Sequence, residues 1–481
     1  MKRKFVVNLI FLLFLNVLIK PLWIFGIDRN VQNIVGDESY GLYFALFNFS
    51  MILNILLDLG ITHFNNRNIA QHNFLLSKHL SNIVGLKLVL AIVYAVFCLT
   101  IALIIGYNNV QLHLLFFLIF NQFLISFTLY LRSNISALHL FRTDSMISVL
   151  DRSLMIIICS VLLFTNIVKG KFRIEWFVYA QTAAYVLTMI ITFIVVLYKS
   201  GRIKVRFDLK FFLVFLKQSY PYALLILLMS FYNRIDSVML ERLLPGTVGK
   251  EQAGIYAQAF RLLDAASMFG VLFAGLLLPI FARMIKQKEP IGQMVQLSFT
   301  LIFTPAIIIT VSCLFYDYEI MSLLYHANSK DSAEILGILM AGFLGIVTTY
   351  IFGSLLTANG SMKQLNIMAF AGMVLNVTLN LILIPQYKAY GSAYASMVTQ
   401  LTTALAQLFI ASYIFKIRIN WKFLGKVSLF ATLVVLLGFA SKSVSNWVYG
   451  YLGMIITGII AAFAIKLINL KALYQIIMYK S

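Results

Sequence analysis

Charge is scarce in this chain. Asp, Glu, Lys and Arg make up 11% of its 481 residues, against about 25% in an average soluble domain. Together with the high apolar content, that excludes a soluble globular chain and a disordered one. Seven prolines leave no room for a proline-rich linker, and three cysteines leave none for a disulfide framework. Cys98, Cys159 and Cys313 all fall in apolar runs, where a thiol behaves as a small hydrophobe and says nothing about redox compartment. There is no glycine-rich loop of the G-x-x-x-x-G-K-S/T kind, so ATP hydrolysis by this chain is not expected. The six histidines show no metal-ligand spacing, and neither a metal nor a cofactor is expected. No segment between the apolar runs could house a sugar-nucleotide domain, which argues against an enzyme and leaves no catalytic residue to name. Acidic residues are the rarest charges, 17 against 38 basic ones, for a net charge of +21. The basic residues are scattered in short loops, where they set membrane topology, so no nucleic-acid partner is expected.

What the chain has is apolar length. Hydrophobic residues reach 61%, with 41 Phe and 24 Tyr. A helix needs about 20 apolar residues to cross about 30 Å of hydrocarbon. On that criterion the chain is an all-α integral membrane protein with about 14 transmembrane helices. The first six are 5–25, 41–59, 82–105, 110–131, 146–167 and 174–198. The next six are 219–240, 253–281, 294–315, 333–356, 365–385 and 391–415, and the last two are 424–440 and 448–468. The opening MKRKFVVNLIFLLFLNVLIKPLWIF has the basic start of a signal peptide, but no small-residue cleavage site follows. It is read as the first span, starting in the cytoplasm. The basic residues then collect on the cytoplasmic side, with Lys169–Arg173 as the weak spot, and an even number of spans returns the carboxyl terminus there.

A repeat divides the chain. Residues 35–47, VGDESYGLYFALF, align without gaps on 248–260, VGKEQAGIYAQAF, with Val35/Val248, Gly36/Gly249, Glu38/Glu251, Gly41/Gly254, Tyr43/Tyr256 and Phe47/Phe260 identical. Both segments lead into the second span of a half in the same direction, so the repeat is parallel and substrate lies between the halves near mid-membrane. The expected parts are an N-terminal six-helix bundle at 1–198, a cytoplasmic basic linker at 199–218, a C-terminal six-helix bundle at 219–415 and two additional transmembrane helices at 416–481.

Charges inside spans are the candidate functional residues, because hydrocarbon makes them expensive. Arg261 and Asp264 lie roughly 12–17 Å below the outer end of the eighth span, too deep for easy snorkelling. Three apart, they share a helix face, either as a structural ion pair or as a cavity-facing cation tuned by its acid. Arg234 and Asp236, near the outer end of the seventh span, point to different sides; snorkelling is an open alternative for Arg234. Lys20 precedes Pro21, whose ring bends the first helix, and Pro221 marks the start of the seventh span. Asp28 and Arg29 are expected to be exposed in an outer loop. Asn54, Asp58, Asn121, Gln122, Gln400 and Gln407 are more simply interhelical contacts than ligands. Asn376 and Asn380, four apart, make a polar stripe suited to sugar hydroxyls.

With its fourteen spans, six-plus-six repeat, VGxExYGxY entry to span two and GSAYASMVTQ at 391–400, the chain resembles the Wzx-like O-antigen and polysaccharide flippases. These are polysaccharide-biosynthesis membrane proteins of the MOP exporter superfamily. The resemblance implies a MATE/MOP-like fold of two six-helix bundles enclosing a V-shaped cavity, in a bacterial cytoplasmic membrane. It also implies transport by alternating access of an undecaprenyl-diphosphate-linked oligosaccharide. Membrane lipids, a polysaccharide polymerase and other assembly proteins are the further partners. A diphosphate calls for guanidinium or ammonium groups: Arg261 first, with Arg234 and Lys20 as auxiliary cations. Asp264 or Asp236 would couple an ion, as in ion-coupled relatives. A small-molecule or multidrug exporter of the same fold, or a membrane-embedded glycan polymerase or ligase, stays open as an alternative.

Overall fold

A computed structural model describes residues 14–16, 18–62, 76–138, 140–165, 172–200, 209–417, 420–465 and 467. Every regular element among them is helical. Seven residues of π-helix, Leu22–Asp28, lead into α1 (Arg29–Ile52), followed by a 3-10 turn at Asn54–Leu57. Then come α2 (Leu76–Ile105), α3 (Asn109–Ala137), α4 (Phe141–Phe164), α5 (Ile174–Ser200), α6 (Leu209–Leu243) and α7 (Gly246–Gln287). The chain continues through α8 (Gly292–Phe315), α9 (Asp317–Leu324), α10 (Ser329–Ala358), α11 (Met362–Phe415), α12 (Trp421–Ser441) and α13 (Trp447–Ala464). Large apolar side chains are exposed along α2, α4 and α12, as at Ile92, Phe97, Ile104, Ile157, Phe164 and Phe439. Such a surface suits lipid, and the chain is a multi-pass membrane protein.

Eleven helices among the described residues are long and apolar enough to cross a membrane. The fourteen expected from the sequence differ from these in three places. Residues 5–13 and 17 of span 5–25 lie outside the described residues. Helix α1 ends at Ile52, short of the expected 59, and is not apolar enough over its length to qualify. Spans eleven and twelve are joined in the 54 residues of α11, which bends at Lys388 with φ 52° and ψ −129°. That conformation suits glycine, and a lysine in it stores strain. Lys388→Gly is therefore expected to raise stability by about 1 kcal/mol, read as a higher thermal midpoint in detergent.

Glycine also corrects the reading of Asp28 and Arg29. The chain turns at Gly36, with φ 80° and ψ 167°, so residues before it remain helical. Asp28 is 2% exposed and accepts a 2.7 Å hydrogen bond from the Tyr40 hydroxyl; Arg29 is half-buried. Neither lies in an exposed loop. Pro221 sits inside α6, which starts at Leu209, so of the expected linker only 201–208 fall outside the described residues.

Contacts cluster into two compact units, Met1–Gly254 and Ile255–Ser481, with the division inside α7. In the first unit α1 packs along α6, and α3 along α5. Phe127, Tyr130, Leu131, Ile83 and Ile147 form its buried cluster. The repeated glycines meet here. A Cβ on Gly41 would overlap the carbonyl oxygen of Lys250 and the amide nitrogen of Gly254, and one on Gly254 would overlap the backbone of Asp37. The alignment that pairs Gly41 with Gly254 also pairs Asp37 with Lys250, so the contact is reciprocal. Gln32 Nε2 closes it with hydrogen bonds to Gly254 O (2.9 Å) and Asp37 Oδ1 (3.2 Å).

In the second unit α10 lies along α11, with Gly342 and Gly345 allowing close approach to Met397 and Gln400. The last two helices dock on α8 through Phe430, Val434, Met454 and Ile308. The Tyr316 hydroxyl donates to Ser441 Oγ at 2.8 Å beside a 2.5 Å Lys442–Glu319 ion pair.

Candidate functional site

A grouping of charge beside a cavity lies in the first unit, centred on α4. Asp144, Ser148, Asp151, Arg152 and Met155 recur at helical spacing and share one face. Packing of α4 on α5 and on the π-helical turn brings that face to Trp23 and Tyr185. The Arg152 guanidinium lies 5.4 Å from the Trp23 ring centre and 6.0 Å from that of Tyr185, within cation–π range. Trp23 is fixed in turn by stacking on Phe177 at 5.7 Å. Asp151 lies 3.7 Å from Arg152, and Arg132 donates to Asp144 at 2.8 Å. Lys20 belongs to the same electrostatic group, interacting through its charge with Arg152, Asp151 and Arg132. Arg132, Ser148, Asp151, Tyr185 and Thr188 line a cavity of about 50 Å³. Three cations against two carboxylates leave this patch basic. It is a semi-polar setting that favours an anion.

Of the residues singled out from the sequence, Lys20 thus joins a cluster whose other cations were read only as topology signals. Arg152 lies six residues inside the expected fifth span, and that depth was the available clue. Arg234 is half-buried and donates to Asn48 Oδ1 at 3.4 Å; Asn48 also donates to Ser237 at 2.9 Å. Asn48 occupies the position equivalent to Arg261, so both copies of the repeat keep a polar group there. Asp236 is 1% exposed in α6. In the second unit Arg261 and Asp264 are half-buried on α7. Asn376 and Asn380 are brought together: Asn380 Nδ2 donates to Asn376 Oδ1 at 3.1 Å, and Ser392 Oγ donates to Asn380 Oδ1 at 2.8 Å.

Lys87 escaped sequence reasoning altogether. It is 1% exposed and sits where α1 breaks down, reaching Leu57 O (2.9 Å), Asp58 Oδ1 (2.5 Å) and Ser126 Oγ (3.1 Å). Thr62 also bonds Asp58. Nearby, Asn54 donates to Gln122 at 2.6 Å, an interhelical bond of the expected kind. A further cluster joins α3 to α6: Gln111 bonds Glu241 at 2.7 Å, and Arg242 lies 4.1 Å from the Tyr107 ring centre. Among the described residues no group of three or more His, Cys, Asp or Glu could hold a metal ion.

Several solved structures share this fold. One described as lipid II flippase MurJ in an inward closed conformation matches 98% of this chain and 100% of its own, with a TM-score of 0.71 and 16% identity. An inward-facing multidrug resistance MATE family transporter of the MOP superfamily matches 84% of this chain and 94% of its own, at TM-score 0.63 and 14% identity. An outward-facing MATE transporter matches 85% and 95%, at 0.60 and 14%. A search of curated proteins finds no match. The family model for polysaccharide biosynthesis proteins matches residues 6–285, more than half of the chain. With the all-helical fold it shares with MOP-superfamily transporters, the chain belongs to the polysaccharide biosynthesis protein family.

Proposed function

We propose that this chain is a flippase for undecaprenyl-diphosphate-linked oligosaccharides, acting by alternating access in a bacterial cytoplasmic membrane with both termini cytoplasmic. The observation that carries the reading is the basic patch Lys20–Arg132–Arg152 beside a small cavity that Arg132, Ser148 and Asp151 share with apolar side chains, inside a helix bundle. A diphosphate is held by guanidinium and ammonium groups, and their attraction is stronger in a site shielded from water. Arg152, backed by Trp23 and Tyr185, would anchor the phosphates with Lys20. Arg261 and Arg234 remain the cations proposed along the route, and Asp264 and Asp236 the groups proposed for ion coupling. Asn376 and Asn380 are fully buried and bonded to each other, so their amides would meet sugar hydroxyls only after a rearrangement. The two six-helix bundles, the linker and the two added helices keep their proposed roles. Other assembly proteins, a polymerase among them, would take the glycan onward, and this chain itself would catalyse no bond change.

The MATE matches favour a second reading, a multidrug exporter. Binding separates the two. Arg152→Ala and Arg261→Ala are each expected to weaken binding of an undecaprenyl-diphosphate-linked sugar by about ten- to a hundredfold, the worth of one charged hydrogen bond. Surface polysaccharide should fall in cells carrying either variant at matched protein level. Normal polysaccharide in both strains, with tight binding of cationic dyes, would overturn the flippase reading.

A further inference from the structure

The two halves of α11 fold back on each other at Lys388, with Gly391 against the Leu383 backbone. Between them runs a groove of about 420 Å³. Small residues on matching helical stripes, Ala371, Gly372, Thr402 and Ala406, form its floor, and Ile367 and Ile410 flank it. It extends from Gln364 to Leu375, eleven residues or about 16 Å of helix. That is the depth of one leaflet, half of about 30 Å of hydrocarbon.

The chemistry at the groove's mouth is one-sided. Lys363 adjoins Gln364, and Lys416 ends the returning half; both are exposed. Lys422 and Lys426 follow, exposed on the first turns of α12. From Ile335 to Ser481 the sequence holds ten Lys and Arg and no Asp or Glu. The counter-charge for these lysines must come largely from outside this segment. Anionic headgroups supply it to basic residues at a membrane surface, and the positive-inside rule assigns this end to the cytoplasmic leaflet, where such lipids reside.

We infer that this groove is a binding site for one anionic phospholipid, its acyl chain lying between the halves of α11 and its phosphate on Lys363 and Lys416. The site is separate from the Arg152 cluster and does not depend on the transported substrate. The test uses full-length protein in phosphatidylcholine vesicles carrying a trace of phospholipid with a photoreactive diazirine on its acyl chain. The headgroup is either phosphatidylglycerol or phosphatidylcholine. Peptides covering 364–375 and 402–410 are expected to be labelled several-fold more by the glycerol probe. Lys363→Glu with Lys416→Glu should bring that ratio to near one, and Ala371→Trp should remove labelling by both probes from these peptides. Equal labelling by the two headgroups, or a ratio untouched by charge reversal, overturns the inference. So does a groove closed to lipid by a second copy of the chain, seen as crosslinked dimers without adducts. The charge reversals sit on exposed residues, so they decide the matter even if Ala371→Trp fails to fold.

Discussion

Gly254→Leu is expected to force apart the start of α7 and the start of the buried part of α1. A Cβ there overlaps the Asp37 backbone, which cannot rotate aside as a side chain could. Overpacking of this kind costs about 1–3 kcal/mol, occasionally more, and contact with backbone on both sides places this site at the upper end. Gly41→Leu should cost a similar amount, because its Cβ meets Lys250 O and the Gly254 amide. The double variant should cost clearly less than the sum, since helices already separated accommodate the second side chain. Two measurements check this. One is the thermal midpoint of the purified variants. The other is disulfide crosslinking of Glu38→Cys with Lys250→Cys, whose native side chains lie 3.3 Å apart in an ion pair; the crosslink should form in the parent and be lost with Gly254→Leu. An unchanged midpoint with full crosslinking would show that the contact is dispensable.

Asp58→Ala should be the most damaging single charge removal in the first unit. Lys87 is 1% exposed, and its ammonium is left with only neutral oxygens from Leu57 and Ser126 once the carboxylate is gone. Breaking a buried pair in this way costs about 3–5 kcal/mol. Lys87→Met should cost less, because Asp58 is 23% exposed and keeps Thr62 as a donor. The double change Asp58→Leu with Lys87→Met should recover most of the loss, as apolar replacements of buried pairs commonly do. Thermal unfolding of the four proteins in one detergent gives the comparison. If Asp58→Ala proves milder than Lys87→Met, the pair is not buried as described.

These sites show what could and could not be read in advance. Span positions were legible because hydrocarbon imposes length and composition on each helix, and α2, α3, α5 and α8 fall where the apolar runs put them. The turn at Gly36 was not: it lies in the polar stretch between the first two expected spans, which reads as loop, and nothing there shows that the residues before it are helical. Asp28 and Arg29 were misplaced with it. Helices apolar on all sides also hide which face meets a neighbour, so the joining of Lys87 to Asp58 and of Arg152 to Trp23 awaited three dimensions. A topology rule counts such cations as loop markers; only their depth in a span marked them otherwise.

The reciprocal Gly41–Gly254 contact has an evolutionary reading. Residue i of one segment touching residue j of another, while j touches i, is the pattern two identical chains make about a two-fold axis. A half-length ancestor would have met a second copy of itself through this same glycine. In such a homodimer every substitution appears on both sides at once, so equivalent positions cannot differ. Fusion of the two copies lifts that restriction. Asn48 and Arg261, aligned in the repeat and different in charge, are a pair that such a homodimer could not hold.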